Sequence, residues 1–244
     1  MTKLSVNLNK IALLRNARGH DYPNVLDFAR KFINLGVQGI TVHPRPDERH
    51  ITVKDTIDLS NMISRLHNVE FNIEGYPSES FMNLIESTKP TQCTLVPDSP
   101  NQLTSDHGWN LSEHGTFVKD ICSRLSKIGV RTSLFLDPDI EQVKLASDTG
   151  TDRIELYTEE YAASYNTPQN KMIFDIYKEA ATEAQKYSLG VNAGHDLNLA
   201  NLAGFLTIPG ILEVSIGHAL TVECIEHGME YVIKNYINIC NARD

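Results

Sequence analysis

Residues 189–218 read LGVNAGHDLNLANLAGFLTIPGILEVSIGH. An apolar run, Leu189-Gly190-Val191-Asn192-Ala193-Gly194-His195, closes on Gly-His. A second, Ile211-Leu212-Glu213-Val214-Ser215-Ile216-Gly217-His218, closes the same way. Both runs are strand-sized and both precede an apolar-periodic helical segment, with Pro209-Gly210 between the units. This strand–helix–strand arrangement is the building block of parallel α/β folds. A strand that stops at Gly-His before a helix sets free backbone N–H groups beside an imidazole. Such a pairing can hold an oxyanion and move a proton.

The same reading extended toward the N-terminus gives strand-like runs at 4–9, 38–43, 69–74, 92–96, 130–137, 152–157, 189–194 and 212–216. Most are near-continuous apolar or β-branched runs, as expected of parallel strands covered by helices. Helical periodicity separates them. Val118, Ile121, Cys122, Leu125 and Ile128 recur at helical spacing, as do Val222, Ile225, Met229, Val232 and Ile233. Weaker patterns fill 24–35, 55–66, 79–87, 140–148, 171–187 and 197–206. Eight strands alternating with helices in a chain of 244 residues predict a (β/α)₈ barrel, the TIM barrel. A doubly wound open sheet is the rival and usually has fewer strands. No Pro/Ser-rich linker or low-complexity tract interrupts the chain, so one domain over 1–244 is expected.

The composition is that of a globular protein, 41% hydrophobic and 22% charged. A net charge of −9 argues against nucleic acid or an anionic membrane as a partner held by bulk charge. Cys93, Cys122, Cys224 and Cys240 lack CxxC spacing and read as buried reduced thiols. The first ten residues lack the apolar core of a signal peptide and no run reaches transmembrane length. The cytoplasm is the expected compartment.

Loop lengths point to one functional face. Helix-to-strand connections are short and marked by Gly36, Pro90, Gly129, Gly150, Gly190 and Pro209-Gly210. Strand-to-helix connections at 10–23, 44–54, 97–112 and 158–169 are long and polar. In a barrel these lie on the C-terminal face, where active sites of this fold are built. The strands end in Asn7 and Asn9, His43, Glu74, Glu155, His195 and His218. Any one of these is ordinarily a solvated or hydrogen-bonded group. Acids, imidazoles and amides gathered at one end of several strands point to a shared pocket. Lys10, Arg15, Arg18 and His20 follow the first strand, and Arg45, Arg49 and His50 the second. This local excess of base in an acidic chain fits a small anionic substrate, most simply a phosphate ester. Some of these arginines are expected to pair with Asp21, Asp47 or Glu48, and one of Arg15 and Arg18 to be structural.

Other devices fit less well. His43, His195, His218, Glu74 and Glu155 could in principle bind zinc from separate strands. Metal-dependent barrel hydrolases, however, commonly open with His-x-His, where this chain has Asn7-Leu8-Asn9. Lys10 is the only lysine at a strand's C-terminal end and so the only Schiff-base candidate, though a cationic contact to substrate suits it better. No GxGxxG or P-loop is present.

The ordered set of motifs resembles the pyridoxine 5′-phosphate synthase family, and the match runs almost end to end. It comprises Leu14-Arg15-Asn16-Ala17-Arg18-Gly19, Gly39-Ile40-Thr41-Val42-His43 with Arg45 and Arg49-His50-Ile51, and Asn72-Ile73-Glu74. It continues with Leu95-Val96-Pro97, Ile154-Glu155, Val191-Asn192-Ala193-Gly194-His195 and Ile216-Gly217-His218-Ala219. The resemblance implies a (β/α)₈ barrel with extra helices, assembled as a homo-octamer. It implies condensation of 3-amino-2-oxopropyl phosphate with 1-deoxy-D-xylulose 5-phosphate to pyridoxine 5′-phosphate, inorganic phosphate and water, with no metal or organic cofactor. Carried over by motif, His43 and Glu74 would be general bases, His195 the general acid and Glu155 the residue stabilising the transition state. The aminoketone phosphate would meet Asn7, Arg18, the backbone at Asp196, and Gly217-His218. The deoxyxylulose phosphate would meet Arg45, His50 and Thr104, with Asn9 and Lys10 beside it.

The chemistry explains the residue types. Joining an amine to a ketone, eliminating phosphate, closing a ring and losing water are largely proton transfers, which call for several acids and bases around one pocket. The chain departs from the resemblance at Asn9-Lys10, where many members carry Asp-His. Asn9 cannot act as a base at neutral pH, and Lys10 keeps a cation but not an imidazole's titration near pH 7. Altered contacts to the sugar hydroxyls are expected. The rival readings are a cofactor-independent sugar-phosphate aldolase or isomerase, and a non-catalytic phosphate-binding barrel.

Overall fold

Every strand alternates between two environments. In β1 (Lys3–Asn7), Leu4 and Val6 are buried in the apolar layer while Ser5 and Asn7 reach polar partners on other strands. The same period of two runs through β2 (Gly39–Val42), β3 (Glu70–Gly75), β4 (Gln92–Leu95), β5 (Arg131–Leu136), β6 (Arg153–Tyr157), β7 (Gly190–Gly194) and β8 (Ile211–Ile216). The computed structural model describes residues 1–98 and 105–242. Its strands pair in parallel in chain order, and β8 pairs back onto β1 to close a barrel of eight. The expected (β/α)₈ barrel is therefore the observed fold.

The outward residues, such as Ile40, Ile73, Leu134, Ile154 and Val214, pack beneath the helices and form the core. The inward residues are mostly polar, with Phe135 near the mouth an apolar exception, although the strands read in sequence as near-continuous apolar runs. Barrels of this class usually fill their lumen with branched aliphatic side chains. Here Ser5 and Thr41 share a hydrogen bond of 2.7 Å, and Thr94 donates to Asn72 at 3.0 Å and to Glu155 at 3.4 Å. Toward the strands' N-terminal ends, Glu70 takes ion pairs from Lys3 and Arg131, and Arg153 lies 3.7 Å from Glu213. A polar column thus fills the barrel from its base to Glu74 and Glu155.

Eleven helices are described. Covering helices are α2 (Val25–Asn34), α3 (Val53–Ile63), α4 (Glu79–Thr88), α5 (Leu111–Lys127), α6 (Ile140–Ser147), α8 (Asn170–Lys186), α9 (Leu202–Phe205) and α11 (Met229–Asn241). Three more, α1 (Asn9–Asn16), α7 (Glu159–Ser164) and α10 (His218–His227), follow the C-terminal ends of β1, β6 and β8. They correct several sequence boundaries. The first strand stops at Asn7, so Asn9 and Lys10 open α1 instead of ending a strand. The 10–23 and 158–169 connections contain helices. The segment 197–206 is helical only over Leu202–Phe205. The single periodic run from Val222 to Ile233 breaks at Gly228, whose φ of 89° lies in the left-handed region that glycine favours. Val222 and Ile225 consequently face solvent. No helix among the described residues is long and apolar enough to cross a membrane.

Candidate active site

The ends of β1 and β2 are tied together by two asparagines. Asn7 Oδ1 accepts the Asn9 N–H at 2.9 Å, and Asn9 Oδ1 accepts the His43 N–H at 3.0 Å. His43, one residue past β2, is therefore held at the lip of the lumen beside Asn7, whose Nδ2 lies 3.4 Å from Glu74 on β3. Glu155 enters from β6 and His195 from the end of β7. A cavity of about 530 Å³ unites these four groups. All the expected site residues line it except Arg18 and Thr104. Arg18 is exposed in the turn after α1, outside the lining, and Thr104 lies outside the described residues. A larger neighbouring cavity of about 750 Å³, walled by Tyr76, Phe81 and Trp109, shares His43 and Arg45 but lacks both carboxylates.

Burial sets the charge states. Desolvation pushes His43 well below its ordinary range, and the nearby cations Arg45 and Arg49 add to this, so it is a neutral imidazole able to take a proton. Burial, with Arg45 and Lys10 nearby, drives His50 to about 4. His50 Nδ1 accepts the Ile51 N–H at 2.9 Å, which leaves the proton on Nε2 as a donor toward the cavity. Glu74 is pushed well above the carboxylate range by burial and then by Glu155. Glu155 is raised to about 8 by burial and then by Glu213, against the opposing Thr94 hydroxyl. Burial thus favours the protonated form of both carboxyls. Burial also lowers His195, opposed by Asp196 and Asp98.

The basic residues divide. Arg15 makes a bidentate pair with Asp55, at 2.5 and 2.8 Å, and donates to His50 O at 3.2 Å. It is structural and steadies the β2–α3 loop, as expected of one of Arg15 and Arg18. Its partner is Asp55, not the acids anticipated from the sequence. Arg49 pairs with Asp47 at 2.6 Å, as anticipated. Arg45 is buried against Asp98 at 2.7 Å, and Ser105 donates to the same carboxylate oxygen at 2.8 Å. An anion entering here meets an arginine already paired.

The two Gly-His ends are built differently. At β8, the N-terminus of α10 begins at Gly217-His218, which line the cavity. Its first-turn N–H groups and dipole suit a phosphate. A side chain on Gly217 would sit 3.0 Å from Asn7 Cβ. At β7, a side chain on Gly194 would collide with Glu155 Oε1. The chain then passes through two successive left-handed residues, His195 (φ 80°) and Asp196 (φ 57°). For non-glycine residues this costs about 1–2 kcal/mol each and persists only where the surroundings enforce it. The His195 ring packs against Phe135 and Tyr157, with 5.1 Å to each ring centre, and those two rings touch each other with centres 5.3 Å apart.

The model of the family described as "Pyridoxal phosphate biosynthesis protein PdxJ" matches residues 4–242. The chain belongs to the PdxJ family. Curated relatives of this family named pyridoxine 5′-phosphate synthase include that of Parabacteroides distasonis, 50% identical over 99% of this chain and 100% of the relative. That of Bacteroides thetaiotaomicron is 49% identical over 98% and 99%. Solved barrels are similar in fold alone. The tryptophan synthase α-subunit of Pyrococcus furiosus has a TM-score of 0.65 at 13% identity, covering 99% of this chain and 98% of that one. Phosphoribosyl anthranilate isomerase of Thermotoga maritima has a TM-score of 0.65 at 13% identity, covering 99% and 100%.

Sequence reasoning missed Tyr157 and Asp98. Tyr157 stands two residues beyond Glu155 on β6, so period-two alternation places it on the same face. Nothing local marks Asp98, whose significance comes from Arg45, distant in the chain.

Proposed function

We propose that this PdxJ-family chain condenses 3-amino-2-oxopropyl phosphate with 1-deoxy-D-xylulose 5-phosphate to give pyridoxine 5′-phosphate, inorganic phosphate and water. The observation that carries the reading is the convergence of His43, Glu74, Glu155 and His195 from four strands on one cavity bordered by the α10 N-terminus. Phosphorylated sugar-like substrates follow from the family, and the named pair from the resemblance of the site.

The aminoketone phosphate is assigned to Asn7, the Asp196 N–H, Gly217-His218 and Arg18. The deoxyxylulose phosphate is assigned to Arg45, His50, Asn9, Lys10 and Thr104. His43 is neutral and can accept a proton directly. Burial favours the neutral form of Glu74, and an ammonium group beside it favours the carboxylate, turning the acid into a base. A phosphate dianion beside His195 raises its proton affinity and arms it as the donor. Glu155, held neutral by burial, donates a hydrogen bond to oxygen that becomes negative during reaction.

The same reading includes a homo-octamer in the cytoplasm. Solvent-facing Leu13 and Leu14 on α1, with Val222 and Ile225 on the contacting α10, support a subunit contact there. Light scattering on the purified chain tests the assembly. The function is tested by supplying both substrates and following phosphate release and the pyridoxine chromophore. Absence of both signals from folded protein overturns it.

A further inference from the structure

The turn that carries His195 is held from the neighbouring strand by one buried hydroxyl. Thr158, the first residue after β6, is fully buried. Its N–H donates to Gly194 O at 2.9 Å. Its Oγ1 lies 2.6 Å from Gly194 O and 2.5 Å from His195 O. A hydroxyl has a single proton, so the two carbonyls share it in a three-centre bond. Both carbonyls are thereby turned toward β6.

That orientation fixes the rest. With the His195 carbonyl captured, the His195–Asp196 peptide cannot rotate, and the Asp196 N–H keeps its direction. On the far side, Asn201 Nδ2 donates to Asp196 O at 3.2 Å. The Asn201 carbonyl is itself held by the Tyr161 hydroxyl at 2.9 Å. Two successive left-handed residues are thus clamped at both ends, and the imidazole packs against the touching rings of Phe135 and Tyr157.

We propose that Thr158 is a positioning residue whose shared hydroxyl holds the Gly194–His195–Asp196 turn, and so sets both the His195 imidazole and the Asp196 N–H. Its catalytic consequence rests on His195 being the proton donor. Thr158 is not among the residues that line the cavity and acts through the two carbonyls alone. Valine has threonine's shape without the hydroxyl, and serine has the hydroxyl without the methyl, so the pair separates hydrogen bonding from packing.

The test compares Thr158→Val and Thr158→Ser in the full-length protein by steady-state kinetics and by hydrogen exchange read by mass spectrometry. In Thr158→Val, exchange should quicken in the peptide covering residues 194–197 while the other strands keep their protection. Turnover should fall about 10- to 100-fold, the scale of a misplacement near 1 Å. KM for the aminoketone phosphate should rise, KM for the deoxyxylulose phosphate should hold, and Thr158→Ser should recover most of both losses. Unchanged local exchange with full turnover in Thr158→Val overturns the proposal, as does a Thr158→Ser protein as impaired as Thr158→Val. Faster local exchange with full turnover leaves the latch standing and overturns the proton-donor reading of His195 instead. Should Thr158→Val not fold, Thr158→Cys, a side chain of similar size with a weak donor, carries the same comparison.

Discussion

Replacing Glu155 by glutamine should make the protein more stable and less active, and the gain should depend on pH. Glu155 is fully enclosed and raised to about 8 from an ordinary 4.5, chiefly by burial and then by Glu213. For an acid raised by folding, stability is intact below the unfolded value and is lost as pH rises through the folded one. At pH 7 the unfolded chain has released this proton and the folded chain has not. The interval from 4.5 to pH 7, at about 1.4 kcal/mol per pH unit, makes a penalty of about 3 kcal/mol. Glutamine removes that penalty and still accepts from Thr94 Oγ1. Urea unfolding of both proteins at pH 4.5, 7 and 8, followed by Trp109 fluorescence, measures the difference. It should be close to zero at pH 4.5 and grow steadily with pH, while phosphate release falls at least tenfold. A stability difference that is flat or shrinks with pH would refute the reasoning, because the raised proton affinity of the buried carboxyl is its source.

The remaining predictions concern the other groups at the barrel's mouth. His195→Ala should abolish turnover with substrate affinity, measured calorimetrically, largely kept. Gly194→Ala drives a methyl into the Glu155 carboxyl and should lower stability by about 1–3 kcal/mol in denaturant titrations, with loss of activity. Asp98→Asn weakens the buried pair with Arg45, so the melting temperature should drop and inorganic phosphate should restore more of it than it adds to wild type. His50 is lowered by burial to about 4, so its contribution is present above pH 6.5 and lost as pH falls toward about 4. His50→Gln should flatten the stability profile in that window.

The barrel was legible because its signal is local and repeated. Each strand is short, helical periodicity separates the strands, and glycine or proline marks most returns. His43, Glu74 and His195 were legible for the same reason, standing where apolar runs stop; Glu155, read as a strand end, instead sits in the middle of β6 with Leu156 and Tyr157 after it. What escaped was set by contacts between distant segments. Asn9 reads as the last residue of a strand until its N–H is found on Asn7 Oδ1, opening α1. Arg15 and Arg45 look alike in the chain. Asp55 makes one structural, and Asp98 makes the other a paired group at the cavity wall. Thr158 follows Tyr157 without any mark of its own, and only the shared carbonyls across β7 reveal it.

The polar lumen joins the barrel's two mouths electrically. Glu213, in the base cluster with Arg153 and Glu70, still raises Glu155 and Glu74 at the opposite end. In a barrel plugged with aliphatic side chains, residues at the base would serve stability alone. Here a charge change at Glu213 reaches Glu74 and Glu155 from the far end of the lumen. Natural selection can therefore retune the working pH from the far side of the molecule, leaving the recognition surface as it is.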